Sequence, residues 1–138
     1  MLRDLGNSVA FSTTLAPQTV TMSAGGTTTN GSSVDRLGYE SAVFVFANSA
    51  PYGTPTGVTV TFKVQDSDDD STFTDVSGYT DSHNVTNTSS AVEINVADLG
   101  DFERYVRGVC VSDVNGGTGP FCTIAGGVVL GSPKTYPV

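Results

Sequence analysis

The stretch VQDSDDDSTFTDV, Val64 to Val76, places Asp66, Asp68, Asp69, Asp70 and Asp75 within ten residues. The alternate carboxylates Asp66, Asp68 and Asp70 have the one-three-five spacing by which a calcium loop presents oxygen ligands. Beyond them the match fails. Ser71 stands where such a loop needs glycine, Ser77 where it needs a bidentate glutamate, and the flanking sequence is strand-like rather than helical. The expected structure is a solvated hairpin turn, in which Asp and Ser side chains bond to nearby backbone amides. Asp66, Asp68 and Asp70 stay as weak calcium candidates, and no cofactor is expected.

Other residues able to do chemistry are sparse. His83 is the one histidine and sits in TDSHNVTNTS, read as a polar loop with no paired nucleophile. A Ser-His-Asp set requires a fold to bring three side chains together, and any serine-rich chain offers the types. No phosphate-cradling glycine loop follows a strand, and no carboxylate pair stands in an apolar setting. The expectation is that the chain is not an enzyme. Two cysteines and one histidine do not make the usual zinc set. Cys110 and Cys122 both lie in strand-like sequence. Neighbouring strands would permit a disulfide between them, and two buried thiols acting as small hydrophobes are the alternative.

Three of the six cations, Arg36, Arg104 and Arg107, fall in or beside strands. Each has a carboxylate close in sequence (Asp35, Glu40 or Glu103) with which to make a modest surface pair. The other reading makes them anchors of a protein interface, where arginine is enriched. Tyr136, in the C-terminal tail, joins them as an interface candidate.

The elements that must position these residues are strands. In GVTVTFKVQ, Val58, Val60, Phe62 and Val64 point one way while Thr59, Thr61, Lys63 and Gln65 point the other. SAVFVFAN, Ser41 to Asn48, is almost continuously apolar, which suits a strand covered on both faces. FERYVRGVCVSDV alternates again, with Tyr105, Val109 and Val111 on one side and Arg107 between them. PFCTIAGGVVL reads as a strand bulged or bent at Gly126-Gly127. QTVTM (18–22), STFTDV (71–76) and AVEINV (91–96) add shorter strands. Turn signals at Gly25-Gly26, Asn30-Gly31, Pro51 to Pro55, the Asp run and Asn115-Gly116-Gly117 separate them. VADLGDFERY permits a single helical turn at most. The expected fold is an all-β antiparallel sandwich of jelly-roll or Greek-key type.

At 138 residues the chain suits one domain. Its expected divisions are residues 1–34 as an N-terminal arm with a first strand, 35–130 as the sandwich core and 131–138 as a C-terminal tail. The ends are either frayed or arms ordered only against a neighbour. Ser and Thr supply about a quarter of the chain and only 14% is charged, against roughly 25% in ordinary soluble domains. The net charge of −8 repels phosphate backbones and anionic bilayers, so neither nucleic acid nor a membrane surface is an expected partner. No apolar run reaches the length of a membrane span, and the N-terminus lacks the apolar core of a secretory signal.

The segment VDRLGYESAVFVFANSA, followed by VTVTFKVQDSDDDSTFTDVSG and later by ERYVRGVCV, resembles small structural head proteins of tailed bacteriophages. The resemblance covers Asp35 to Ala47, Val58 to Val76 and Phe102 to Val111. It implies a capsid decoration, or cement, protein similar to the Bordetella phage cement type, with a jelly-roll-like sandwich. Such a protein would be made in the host cytoplasm and end on the outer capsid surface of the virion. There it would clamp neighbouring subunits of the major capsid protein lattice as a homo-oligomer, a dimer or trimer. The class has no active-site motif to carry across. The alternative is a carbohydrate- or receptor-binding sandwich of a phage tail or head fibre, with Tyr39, Tyr52, Tyr79, Tyr105 and Tyr136 as stacking faces.

Overall fold

Period-two alternation becomes nine strands in the computed structural model, which describes residues 5–85 and 89–134. They are β1 (Val9–Thr21), β2 (Thr27–Asn30), β3 (Val34–Asp35), β4 (Tyr39–Asn48), β5 (Val58–Ser67), β6 (Thr74–Asn84), β7 (Ser90–Val96), β8 (Tyr105–Val114) and β9 (Phe121–Pro133). A single 3-10 turn, Leu5–Asn7, precedes them. Sheet A has the order β1-β9-β4-β7. Sheet B has the order β2-β8-β5-β6, with β3 also paired to β8. Every strand pair is antiparallel, and the pairs nest outside-in: β1 with β9, β2 with β8, β4 with β7, β5 with β6. One long hairpin folded over the core gives this order, which is the jelly roll.

The alternating residues close the core. From sheet B come Val58, Val60, Phe62 and Val64, and from sheet A Phe44, Phe46, Ile94, Val96, Ile124, Val128 and Leu130, all buried. Phe46 of sheet A stacks on Phe62 of sheet B, with ring centroids 4.8 Å apart and planes 4° from parallel. The Phe46 ring lies against both Gly108 and Gly126, and a Cβ at either glycine would meet it. Glycine is therefore required there by close approach. The Gly126-Gly127 irregularity falls in the pairing of β9 with β1, whose register shifts between Thr13 and Leu15 and again between Leu15 and Gln18. The pairing of β9 with β4 stays regular.

Four sequence expectations change. Residues 9–34 form strands of both sheets rather than an arm with one short strand. Thr14 ties them together, its hydroxyl donating to the Ser32 carbonyl and accepting from the Gly108 amide. Threonine-rich strand sequence with few large apolar groups hid β1 and β2. The C-terminal strand runs to Pro133, so residues 131–133 belong to the sheet. His83 lies on β6 instead of in a loop, because β6 starts at Thr74 and runs through the polar residues beyond Val76. Lastly, β4 is covered on one face only. Ala42, Phe44, Phe46 and Asn48 are buried while Val45 is 39% exposed. Tyr136 lies outside the described residues.

Candidate functional site

An exposed and extensively hydrogen-bonded tip joins β3 to β4. The Asp35 carboxylate accepts the Leu37 amide at 2.9 Å and takes Arg104 Nη2 at 2.7 Å. Arg104 holds the carboxyl below the usual carboxylate range, and Asp35 in turn raises Arg104. Arg36 turns inward, its Nε donating to the Glu103 carbonyl at 3.0 Å and its Nη2 to the Phe102 carbonyl. These bonds fix the backbone on either side of Leu37, whose side chain is 65% exposed. The amide of Lys134 donates to the Gly38 carbonyl at 2.8 Å, so the C-terminal strand ends beside the same tip.

Arg36 and Arg104 are thus brought together, and Arg107 stands apart. It donates to Gln65 Oε1 at 2.7 and 2.9 Å and lies 4.1 Å from the centre of the Phe73 ring. Burial lowers its pKa. Of the carboxylates expected to pair with these arginines, Asp35 does so with Arg104. Leu37 was not legible as an interface residue, since one leucine in a turn carries no pattern.

The acidic stretch forms the β5–β6 hairpin. Asp69 organises it, accepting from the amides of Ser71 and Thr72 at 2.9 and 2.7 Å and from the Ser67 hydroxyl at 2.9 Å. These donors, Thr72 first, lower its pKa to about 2. Asp70 takes the left-handed conformation, φ 57°, which Asp tolerates in turns. Asp66 faces inward and is buried, accepting from the Glu103 amide at 3.0 Å. Asp75 binds Lys63 Nζ at 2.7 Å and Gln65 Nε2 at 2.6 Å. Among the described residues, no three of His, Cys, Asp and Glu are grouped to hold a metal ion.

His83 has partners that its sequence neighbourhood did not reveal. Nδ1 lies 3.2 Å from Asp81 Oδ1. Nε2 lies 2.6 Å from Ser90 Oγ and 3.1 Å from Asn48 Oδ1. Ser90 Oγ also lies 2.8 Å from Asn48 Oδ1. Asn48 and Ser90 are paired across β4 and β7 of sheet A, while His83 belongs to sheet B. Asp81, His83 and Ser90 have the order of a catalytic triad, but the serine hydroxyl is shared with the buried Asn48. The group ties the two sheets together at their β6 and β7 edges.

Cys110 on β8 and Cys122 on β9 are buried free thiols on facing sheets. Burial, with Cys122 nearby, pushes the Cys110 pKa up to about 12. Tyr52 and Phe121 form an exposed aromatic pair, centroids 4.9 Å apart and planes 11° from parallel.

The two outer faces of the sandwich differ in kind. That of sheet B carries Thr59, Thr61, Lys63 and Gln65 from β5, hydrogen-bonded to Asn84, Ser82, Asp75 and Arg107 of its neighbours. That of sheet A carries Val43, Val45 and Ala47 from β4, with Ala125 and Val129 beside them. An antiparallel sheet facing water ordinarily presents polar residues there.

No family model and no curated protein matches the chain. Among solved structures it is similar to part of the chain in the T13 viral particle of infectious bursal disease virus. That match has a TM-score of 0.64 and 14% identity over 94% of this chain and 32% of that one. The VP2 subviral particle of the same virus matches with a TM-score of 0.59 and 12% identity over 91% of this chain and 32% of that one. This chain spans about a third of the length of those it matches. At such identities the likeness is one of fold, a jelly roll found in viral particle proteins.

Proposed function

We propose that this protein is a structural component of a phage virion that binds the outer surface of the head and cements neighbouring major capsid subunits. The observation that carries this reading is the β3–β4 tip. An exposed leucine is held by two arginines and a carboxylate at one end of a jelly roll. Arginine is enriched among interface anchors, and groups fixed in place before binding lose less freedom on association. The fold of viral particle proteins supports the reading, as does the sequence resemblance to phage head proteins. Many weak copies acting over a repeating shell give large total stabilisation without a deep site.

The test is co-sedimentation of the purified protein with expanded shells lacking it, beside unexpanded shells. Saturable binding to expanded shells, weakened by Leu37→Ser together with Arg36→Ala, is the expected result. Equal binding of wild type and variant, or binding to neither shell, contradicts it.

A carbohydrate-binding role is favoured by one observation, the exposed Tyr52–Phe121 pair, since flat aromatic faces stack on sugar rings. A glycan array with Tyr52→Ala as control decides it: signal that vanishes in the variant supports this second reading, and no signal removes it.

A further inference from the structure

The outer face of sheet A is the part of this sandwich that one chain leaves unfinished. The run Ser41–Asn48 has the composition of a strand covered twice, and the fold covers it once. We propose that the same face of a second copy of this chain covers it, forming a two-fold dimer in which sheet A packs on sheet A.

Strand pairing lays the face out in rows across β1, β9, β4 and β7. One row reads Phe11, Val129, Val43, Asn95, and the next reads Thr13, Gly127, Val45, Glu93. Four strands about 4.8 Å apart, followed over the eight residues from Ser41 to Asn48 at about 3.3 Å each, make roughly 500 Å2 per copy and roughly 1,000 Å2 in a pair. That reaches the lower bound of a specific interface.

Charge selects the occupant. The chain carries a net charge of −8, yet Glu93 is the one ionisable side chain in these two rows. A basic partner would find no acidic cluster here, whereas a second copy sets neutral surface on neutral surface and keeps its carboxylates elsewhere.

Shape agrees with a two-fold arrangement, which requires each patch to complement itself. Phe11, 66% exposed, lies over Gly127 and stands out from the β1 side. A hollow of about 390 Å3 crosses the face from Val9 of β1, through Val129 and Val43, to Asn95 of β7. An axis in the plane of contact, parallel to the strands and between β9 and β4, exchanges β1 with β7. It places Phe11 of each copy at the hollow beside Asn95 of the other. The same operation sets Glu93 against Thr13, whose hydroxyl can donate to the carboxylate.

Sedimentation of the intact chain at tens of micromolar tests this, with two substitutions outside the core. The expected result is a dimer whose Kd rises about 100-fold or more in Val45→Asp, which would bury two unpaired carboxylates. Phe11→Glu should act in the same direction, and its exposure in the single chain keeps it from unfolding the monomer. A Phe11→Cys, Asn95→Cys double variant should be joined into a covalent dimer by a bismaleimide reagent of short span, since sheets packed face to face set opposed positions about 10 Å apart. A direct disulfide is not expected between the copies, because it needs Cα atoms within about 7 Å, nor within one chain, where the two positions are three strand spacings apart, about 14 Å. A chain that stays monomeric, or a dimer indifferent to both charge substitutions, overturns the proposal. A charge-sensitive dimer that fails to cross-link overturns the stated alignment of β1 on β7.

Discussion

Arg104 grips Asp35 at two points, with Nε 3.2 Å from each carboxylate oxygen and Nη2 2.7 Å from Oδ2. The same carboxylate accepts the Leu37 amide, so a pair of exposed charges orders the tip more than it stabilises the fold. Arg104→Ala is therefore expected to leave thermal unfolding almost unmoved, as for exposed ion pairs generally. It should speed amide exchange at Leu37, because the Asp35 carboxylate loses its anchor. Unchanged exchange at Leu37 would separate the ion pair from the order of the tip.

Acid should weaken the fold through its hydrogen-bonded carboxylates. The Asp69 pKa falls from 3.8 to about 2 on folding through the amides of Thr72 and Ser71 and the Ser67 hydroxyl. Asp35 and Asp75 shift the same way, through Arg104 and Lys63 first. A carboxylate with a depressed folded pKa contributes stability above its unfolded value, and that contribution disappears as pH falls through the folded one. The melting temperature should hold from neutrality to about pH 5 and fall below about pH 4. Asp69→Asn should flatten that fall. An equally steep fall in the variant would assign it to other groups.

Phe46 fills the space between two sheets at Gly108 and Gly126. Gly108→Ala puts a methyl group where the ring sits, an overpacking costing about 1–3 kcal/mol. Phe46→Ala leaves a cavity and costs about 3–5 kcal/mol. Denaturant unfolding measures both. If Gly108→Ala were neutral, the ring would have room that this packing denies it.

Both thiols should be inert in the folded protein. Burial raises the Cys110 and Cys122 pKa values, the former to about 12, and the thiolate is the reactive form. A thiol reagent at neutral pH should label neither cysteine until denaturant is added, and then both. Rapid labelling of the native chain would place one of them at the surface.

The fold class was legible because alternation in Val58–Val64 and Phe102–Val114 is a property of neighbouring residues. The hairpin at the Asp run was legible for the same reason, since Asp69 bonds to residues two and three positions away. What escaped depends on distance in sequence. The His83 group joins Asn48 to a residue 35 positions on, and β1 owes its place to β9 at the other end of the chain. The grouping of Arg36 with Arg104 likewise needed the pairing of β3 with β8. The near-continuous apolar composition of β4 misled in one respect, since the sheet covers Ala42, Phe44 and Phe46 and leaves Val45 exposed on the other face.

The measurement that tests the proposed role most directly is electron cryomicroscopy of expanded shells saturated with this protein. The prediction is jelly-roll density at repeated positions on the outer surface, bridging adjacent capsid subunits, with the Arg36–Leu37 tip against the shell. Shells without added density, or copies attached with that tip facing solvent, would contradict it.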